Sequence, residues 1–120
     1  FVAICGNYSE KKAEKYSELA KQIKGIVQEN YHDSSLNSQR IADMIQMNNA
    51  YLGRMFKNSY GRSINDYINT CRLEESMRLL RQTDMSVEEI AQNVGFSNIK
   101  YFYVLFKKLT GITPATYRAG

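Results

Sequence analysis

The chain has 120 residues, 43% of them hydrophobic, with one Pro, seven Gly and a formal net charge of +4. That is enough apolar material for one compact unit or two very small ones, and too little Gly and Pro for a loop-rich all-β protein. No apolar run approaches the ~18 residues of a membrane span, and Cys5, Cys71 and the one histidine, His32, make no zinc set.

The opening FVAICG is apolar but short, lacks the charged start of a signal peptide and does not begin with Met. Residues 1–8 are expected to be the tail of a missing upstream domain, or residues foreign to the natural chain. Two cysteines without CxxC spacing suit a reducing cytoplasm, and only weakly. Charge is unevenly placed. Residues 1–33 carry five Lys against five acids, whereas residues 34–120 carry 11 Lys and Arg against seven Asp and Glu. The whole excess lies in the later part, and a basic balance there suits an anionic partner.

Residues 9–33 hold a lead-in helix, expected from Ser9 to Tyr31. Tyr16, Leu19, Ala20, Ile23, Ile26 and Val27 recur at the three-four spacing of an amphipathic stripe. An ordinary packed helix and a helix carrying a signal or a dimer seam from an upstream domain both fit this pattern. The polar HDSSLNS then leads into a first module, 34–62. Asn37 is a good N-cap, and Leu36 with Ile41 can form a hydrophobic staple around it. A short helix of about 38–45 ends at a tight turn, Gln46-Met47. Asn48 caps a second helix running to about 58.

The connector, 63–83, contains SINDYINTCRLEESMRLLRQ. Its apolar positions fall on more than one side, as suits a long helix packed against both neighbours, roughly 28 Å at 1.5 Å per residue. The second module, 84–120, repeats the first. Ser86 caps, Met85 and Ile90 form the staple, and Glu89 completes a Ser-x-x-Glu capping box for a helix over 87–94. The turn is Gly95-Phe96, the next cap Ser97 or Asn98, and the next helix runs to about 109. Thr113 caps a last short helix with Pro114 at its first position, ending near Arg118.

The repetition is literal. IADMIQMNNAYLGRMF begins at Ile41 and IAQNVGFSNIKYFYVLF at Ile90, 49 positions later, while the closing Phe56 and Phe106 are 50 apart. The second copy therefore has one extra residue, expected just before Lys100. Two helices joined by a three- or four-residue turn form a helix-turn-helix, with a plain αα-hairpin as the alternative, and the repeated lengths favour the former. The expected fold is all-α, about seven helices, two helix-turn-helix modules on a connector helix.

Periodicity also separates the faces of each second helix. In the first module Tyr51, Leu52, Met55 and Phe56 are expected inward, and Asn49, Ala50, Gly53, Arg54 and Lys57 outward. In the second, Tyr101, Phe102, Leu105, Phe106 and Leu109 are expected inward, and Ile99, Lys100, Tyr103, Val104 and Lys107 outward. The first outward face suits DNA or is simply solvated. Small Ala50 and Gly53 allow close approach, Arg54 can reach two guanine acceptors, Asn49 can bond adenine or a phosphate, and Lys57 can meet a phosphate. The second outward face is apolar. It fits contact with thymine methyls, or with the C-terminal helix or another chain.

IAQNVGFSNIKYFYVLFKKLTGITPATYR resembles the signature of the AraC/XylS family of bacterial transcription regulators. The likeness lies in the Ile-Ala opening, Gly95-Phe96, Tyr101-Phe102, Phe106-Lys107-Lys108, Gly111, Pro114 and Tyr117-Arg118. The first copy is similar at Tyr51-Leu52, Arg54, Phe56-Lys57 and Gly61, and the connector from Arg72 to Leu80 matches too. The resemblance spans Ile23 to Arg118. It implies a DNA-binding unit whose two second helices enter successive major grooves, about 34 Å apart. It places base reading on Ala50, Gly53 and Arg54, with Asn49 beside them, and on Ile99, Lys100, Tyr103 and Val104, with Asn98 at the helix start. Asn48, Lys57, Arg62, Ser97, Lys107 and Lys108 are the candidate phosphate contacts. The chain departs from many relatives at Val104 and Tyr103, where polar or small residues are usual, so the first module is expected to supply the more polar discrimination.

The resemblance further implies double-stranded DNA as partner, an upstream regulatory domain, RNA polymerase, a homodimer through the missing part, and a cytoplasmic location for this domain, with a membrane anchor in the full-length protein as an open alternative. No cofactor or metal is expected. A module acting mainly by docking a protein such as a polymerase subunit is the alternative. Catalysis is not expected, because Glu74-Glu75 and Glu88-Glu89 read as solvated helix faces and no Ser/His/Asp or Cys/His arrangement is present.

Overall fold

The computed structural model describes residues 18–120. Helix α1 occupies 18–30 of these; the expected start at Ser9, the stripe residue Tyr16 and the tail 1–8 lie outside the described residues. Six helices follow: α2 (Ser38–Met44), α3 (Asn49–Tyr60), α4 (Ile64–Gln82), α5 (Val87–Val94), α6 (Ile99–Thr110) and α7 (Pro114–Ala119). The described residues contain no strand.

The caps form because short polar side chains stand where each helix leaves its first amides without partners. Asn37 Oδ1 accepts the Arg40 N–H at 2.8 Å, and Ser86 Oγ accepts the Glu89 N–H at 3.1 Å. Asn48 and Asn98 do the same for Tyr51 and Tyr101, at 3.0 and 3.2 Å, so Asn98 rather than Ser97 is the second cap. Thr113 Oγ1 accepts the Thr116 N–H, and Pro114 stands at the first position of α7.

Both short helices close with one motif. Met47 N–H donates to Ala42 O and Gln46 N–H to Asp43 O. Phe96 N–H donates to Ala91 O and Gly95 N–H to Gln92 O. These are the paired bonds of a Schellman cap, which needs a left-handed residue. Gly95 supplies it with φ +112, while Gln46 takes φ +57 at some cost. The copies keep a 49-residue offset through Phe96 and a 50-residue offset from Asn98, so the extra residue is Ser97, earlier than the position just before Lys100 expected from the sequence.

The chain divides into two units. One holds Asn37–Tyr67 together with the helix residues up to Glu29; the other holds Asn30–Leu36 and Ile68–Gly120. In the first, Ile23 and Val27 of α1, Ile41 of α2, Leu52 and Phe56 of α3 and Ile64 of α4 are almost fully buried. Phe56, Tyr60 and Tyr67 meet ring to ring at 5.1–5.9 Å. Lys24 caps this cluster, its Nζ 4.5 Å from the Tyr60 ring centre, and Gln28 Nε2 donates to the Tyr67 hydroxyl at 3.0 Å.

In the second unit Leu73 and Leu80 of α4, Ile90, Ala91 and Val94 of α5, Phe96, and Phe102 and Phe106 of α6 form one core. Tyr117 of α7 packs edge-on to Phe106 at 5.6 Å. Arg118 donates from Nε to Leu80 O and from Nη2 to Thr83 O, satisfying carbonyls at the end of α4, where a helix dipole favours a cation. Arg72 is the unexpected member. It is only 7% exposed, and it donates from Nε to Tyr31 O at 2.7 Å and from Nη2 to Asp33 O at 2.9 Å. Burial lowers its pKa, with Asp33 opposing the shift.

Candidate nucleic-acid interface

In the first unit α3 splits as its periodicity predicts. Leu52, Met55 and Phe56 are buried and Tyr51 is half-buried. Ala50, Arg54 and Lys57 are exposed, with Gly53 half-buried between them, and Asn49 half-buried at the helix start. Positions 50, 53, 54 and 57 lie on one helix face. Asn48 is exposed, with its Oδ1 committed to the cap and its amide donors at the same helix end. Arg62 is exposed in the turn after α3, next to the left-handed Gly61.

Gly53 carries more information than the other residues of this face. A Cβ built there would meet nothing within 4 Å, and its φ is not positive. Neither backbone geometry nor packing among the described residues requires a glycine there. A glycine within a helix costs roughly 0.5–1 kcal/mol relative to alanine. Gly25 of α1 has the same open space, so what sets Gly53 apart is its place on the exposed face beside Ala50, Arg54 and Lys57.

In the second unit α6 differs at the corresponding places. Phe102 and Phe106 are buried and Leu105 is half-buried, as expected. Tyr101 and Leu109 are not inward: they are 47% and 48% exposed. Tyr101 lays its ring against the Phe96 edge while its hydroxyl accepts from Asn69 Nδ2 at 3.2 Å, so a polar partner holds it at the surface. Leu109 sits on the last turn of α6, where it lines an open groove with Met77, Arg81, Ile112 and Tyr117. Ile99, expected outward, is half-buried against the core. Lys100, Lys107 and Lys108 are exposed, as are Ser97 and Asn98 at the helix start.

Val104 is 63% exposed and Tyr103 37%. With Lys107, Lys108 and Thr113 they line a cleft of about 380 Å³. Burial raises the pKa of the Tyr103 phenol, and the Glu88 carboxylate on α5 adds to the shift. The sequence reading missed Thr113 in this cleft, because its capping role accounted for it. It also missed Arg72, whose signal was a charged residue among the apolar positions of the connector.

The helix-turn-helix domain family matches residues 41–120. The transcriptional regulatory protein YesN of Bacillus subtilis is 45% identical over 78 residues, 63% of this chain and 21% of its own length. The chain thus spans about a fifth of that relative. The C-terminal domain of AraT, a response regulator of Geobacillus stearothermophilus, superposes with a TM-score of 0.81 at 30% identity, covering 84% of each chain. The DNA-binding domain of AdpA, a transcriptional factor solved in complex with a target DNA, gives a TM-score of 0.77 at 26% identity, covering 83% of this chain and 89% of that one. With the repeated caps, turns and second helices in place, the chain belongs to the AraC/XylS-type helix-turn-helix family, as the DNA-binding domain of a transcription regulator.

Proposed function

We propose that α3 and α6 enter successive turns of the major groove, and that the first module carries most of the polar sequence discrimination. The observation that carries this reading is the stripe of exposed Ala50, Arg54 and Lys57 around half-buried Gly53, a glycine that nothing among the described residues requires. Small residues let the helix backbone approach base edges. The planar guanidinium of Arg54 then offers two parallel donors to guanine O6 and N7, and Lys57 meets a phosphate one turn further on. Asn49 bonds adenine or a phosphate from the helix start.

In the second module Lys100 and Asn98 approach the bases beside Ile99, Tyr103 and Val104. Asn48, Arg62, Ser97, Lys107 and Lys108 grip the backbone. These contacts position the protein without reading sequence. The chain acts within a longer regulator. An upstream domain supplies the signal and a second copy, RNA polymerase receives the output, and the work is done in the cytoplasm. The AdpA domain, solved in complex with a target DNA, supports DNA as the partner, and the response-regulator origin of the AraT domain supports an upstream receiver of signals.

The test is the affinity of the wild type and of Arg54→Ala for a specific duplex and its single-base variants. Arg54→Ala should lose on the order of 1–3 kcal/mol on the specific site and become indifferent to one base pair. Equal losses on every variant would show a phosphate contact instead. Wild-type affinity should fall steeply with salt, because each neutralised phosphate releases counterions. A flat salt response would favour a protein-docking module.

A further inference from the structure

α6 turns toward solvent what a surface helix ordinarily hides. Val104 stands at the middle of its outer face, 63% exposed, beside the partly exposed ring of Tyr103. Apolar area left in water costs about 25 cal/mol per Å². Fifty positions earlier, the first module has Arg54 and Gly53 at these places. The cleft that Val104 and Tyr103 line is bordered by Lys107 and Lys108, and Lys100 is exposed one turn before Val104. The lining fits an occupant that offers a small apolar group among anionic ones. In the major groove that group is the C5-methyl of a pyrimidine, flanked by phosphates.

We propose that the second module reads the pyrimidine C5-methyl group itself, with Val104 and the Tyr103 ring as its contact surface. The proposal rests on the DNA-binding reading above and adds to it the chemical group recognised. Val104 has no donor or acceptor, so it is blind to the difference between thymine O4 and cytosine N4. What it senses is whether the methyl is there. The position facing Val104 therefore accepts thymine and 5-methylcytosine alike and disfavours unmodified cytosine, which makes affinity at such a site depend on cytosine methylation.

The experiment uses this chain and the duplex it selects from random DNA. Thymines in each block of the site are replaced one at a time by deoxyuridine, which lacks only the methyl, and T·A pairs by C·G with and without a C5-methyl. At one or two positions of the second module's block, deoxyuridine should weaken binding on the order of fourfold, what one buried methyl is worth. 5-Methylcytosine should bind more tightly than cytosine there by a similar factor. Val104→Ala, on an exposed face that leaves the fold intact, should lose most of both differences while keeping the salt dependence. The first module's block should show no such pattern around Arg54. A two-block site indifferent to deoxyuridine, a site with one block only, or a Val104→Ala protein with the full deoxyuridine penalty would each overturn the proposal while leaving DNA binding standing. A chain that selects no sequence and binds without salt dependence would instead remove the DNA-binding reading.

Discussion

Gly95→Ala tests whether the turn of the second module is fitted against the segment that precedes the first. Gly95 has φ +112, which an L side chain adopts only under strain. A Cβ there would lie 2.3 Å from Tyr31 O and 2.7 Å from Arg72 Nε. Gly111 is the control. Its φ is +83, and a Cβ would meet nothing within 4 Å. Gly111→Ala should therefore cost only the backbone strain, about 1 kcal/mol. Gly95→Ala carries that strain and must also push back a backbone carbonyl and the buried guanidinium bonded to it. Overpacking of this kind adds ~1–3 kcal/mol, so the total should be about 2–4 kcal/mol. Urea unfolding followed by circular dichroism reads both values. For a domain of this size 1 kcal/mol moves Tm by roughly 4–8 °C. Equal losses in the two variants would refute the steric argument and leave only a turn preference.

Arg72→Met should destabilise by ~1–3 kcal/mol in the same assay, because Tyr31 O loses the Arg72 donor while Asp33 O keeps the Leu36 N–H. Arg72→Lys should not restore the loss, since one ammonium cannot reproduce the fork that spans both carbonyls. Gly25→Ala and Gly53→Ala should each stabilise the fold by roughly 0.5–1 kcal/mol, as both glycines are helical with open space at the Cβ. Only Gly53→Ala should weaken specific DNA binding, which a gel-shift titration reads; unchanged binding would remove Gly53 from the interface. Burial and Glu88 hold the Tyr103 phenol above its ordinary value of 10.0, which favours the neutral form in the fold. Its contribution to stability is thus complete below pH 10 and lost as pH rises through the folded value, and Tyr103→Phe should reduce this alkaline loss in pH-dependent unfolding.

Local chemistry is what the sequence displays most openly. Asn37, Asn48, Ser86 and Thr113 were readable as caps because each stands immediately before an apolar period, and each accepts the amide expected of it. The repeat exposed both modules, and the buried Leu52, Phe56, Phe102 and Phe106 follow from helical spacing alone. Periodicity assigns a residue to a face, however, without showing whether another element covers that face. Tyr101 is the case in point: its position on α6 is inward by spacing, yet Asn69 holds its hydroxyl at the surface. Leu109 is exposed because it lies in the last turn of α6 beside an open groove. Ile99 moved the other way, against the core. Arg72 was hidden because its acceptors are backbone carbonyls 39 and 41 positions away, and a carbonyl has no signature in the sequence. The outer face of α3 was legible as a face: Ala50, Arg54 and Lys57 are exposed where spacing puts them, whereas on α6 only Lys100, Tyr103, Val104 and Lys107 of the expected outward set are exposed.

The most direct measurement of the central claim is a selection from random duplex DNA with the wild-type chain and with Arg54→Ala, each at two salt concentrations. Two preferred blocks about ten base pairs apart are expected from the wild type, with information at one position of one block erased in Arg54→Ala. A pool without blocks, or a motif unchanged by Arg54→Ala, would contradict the account.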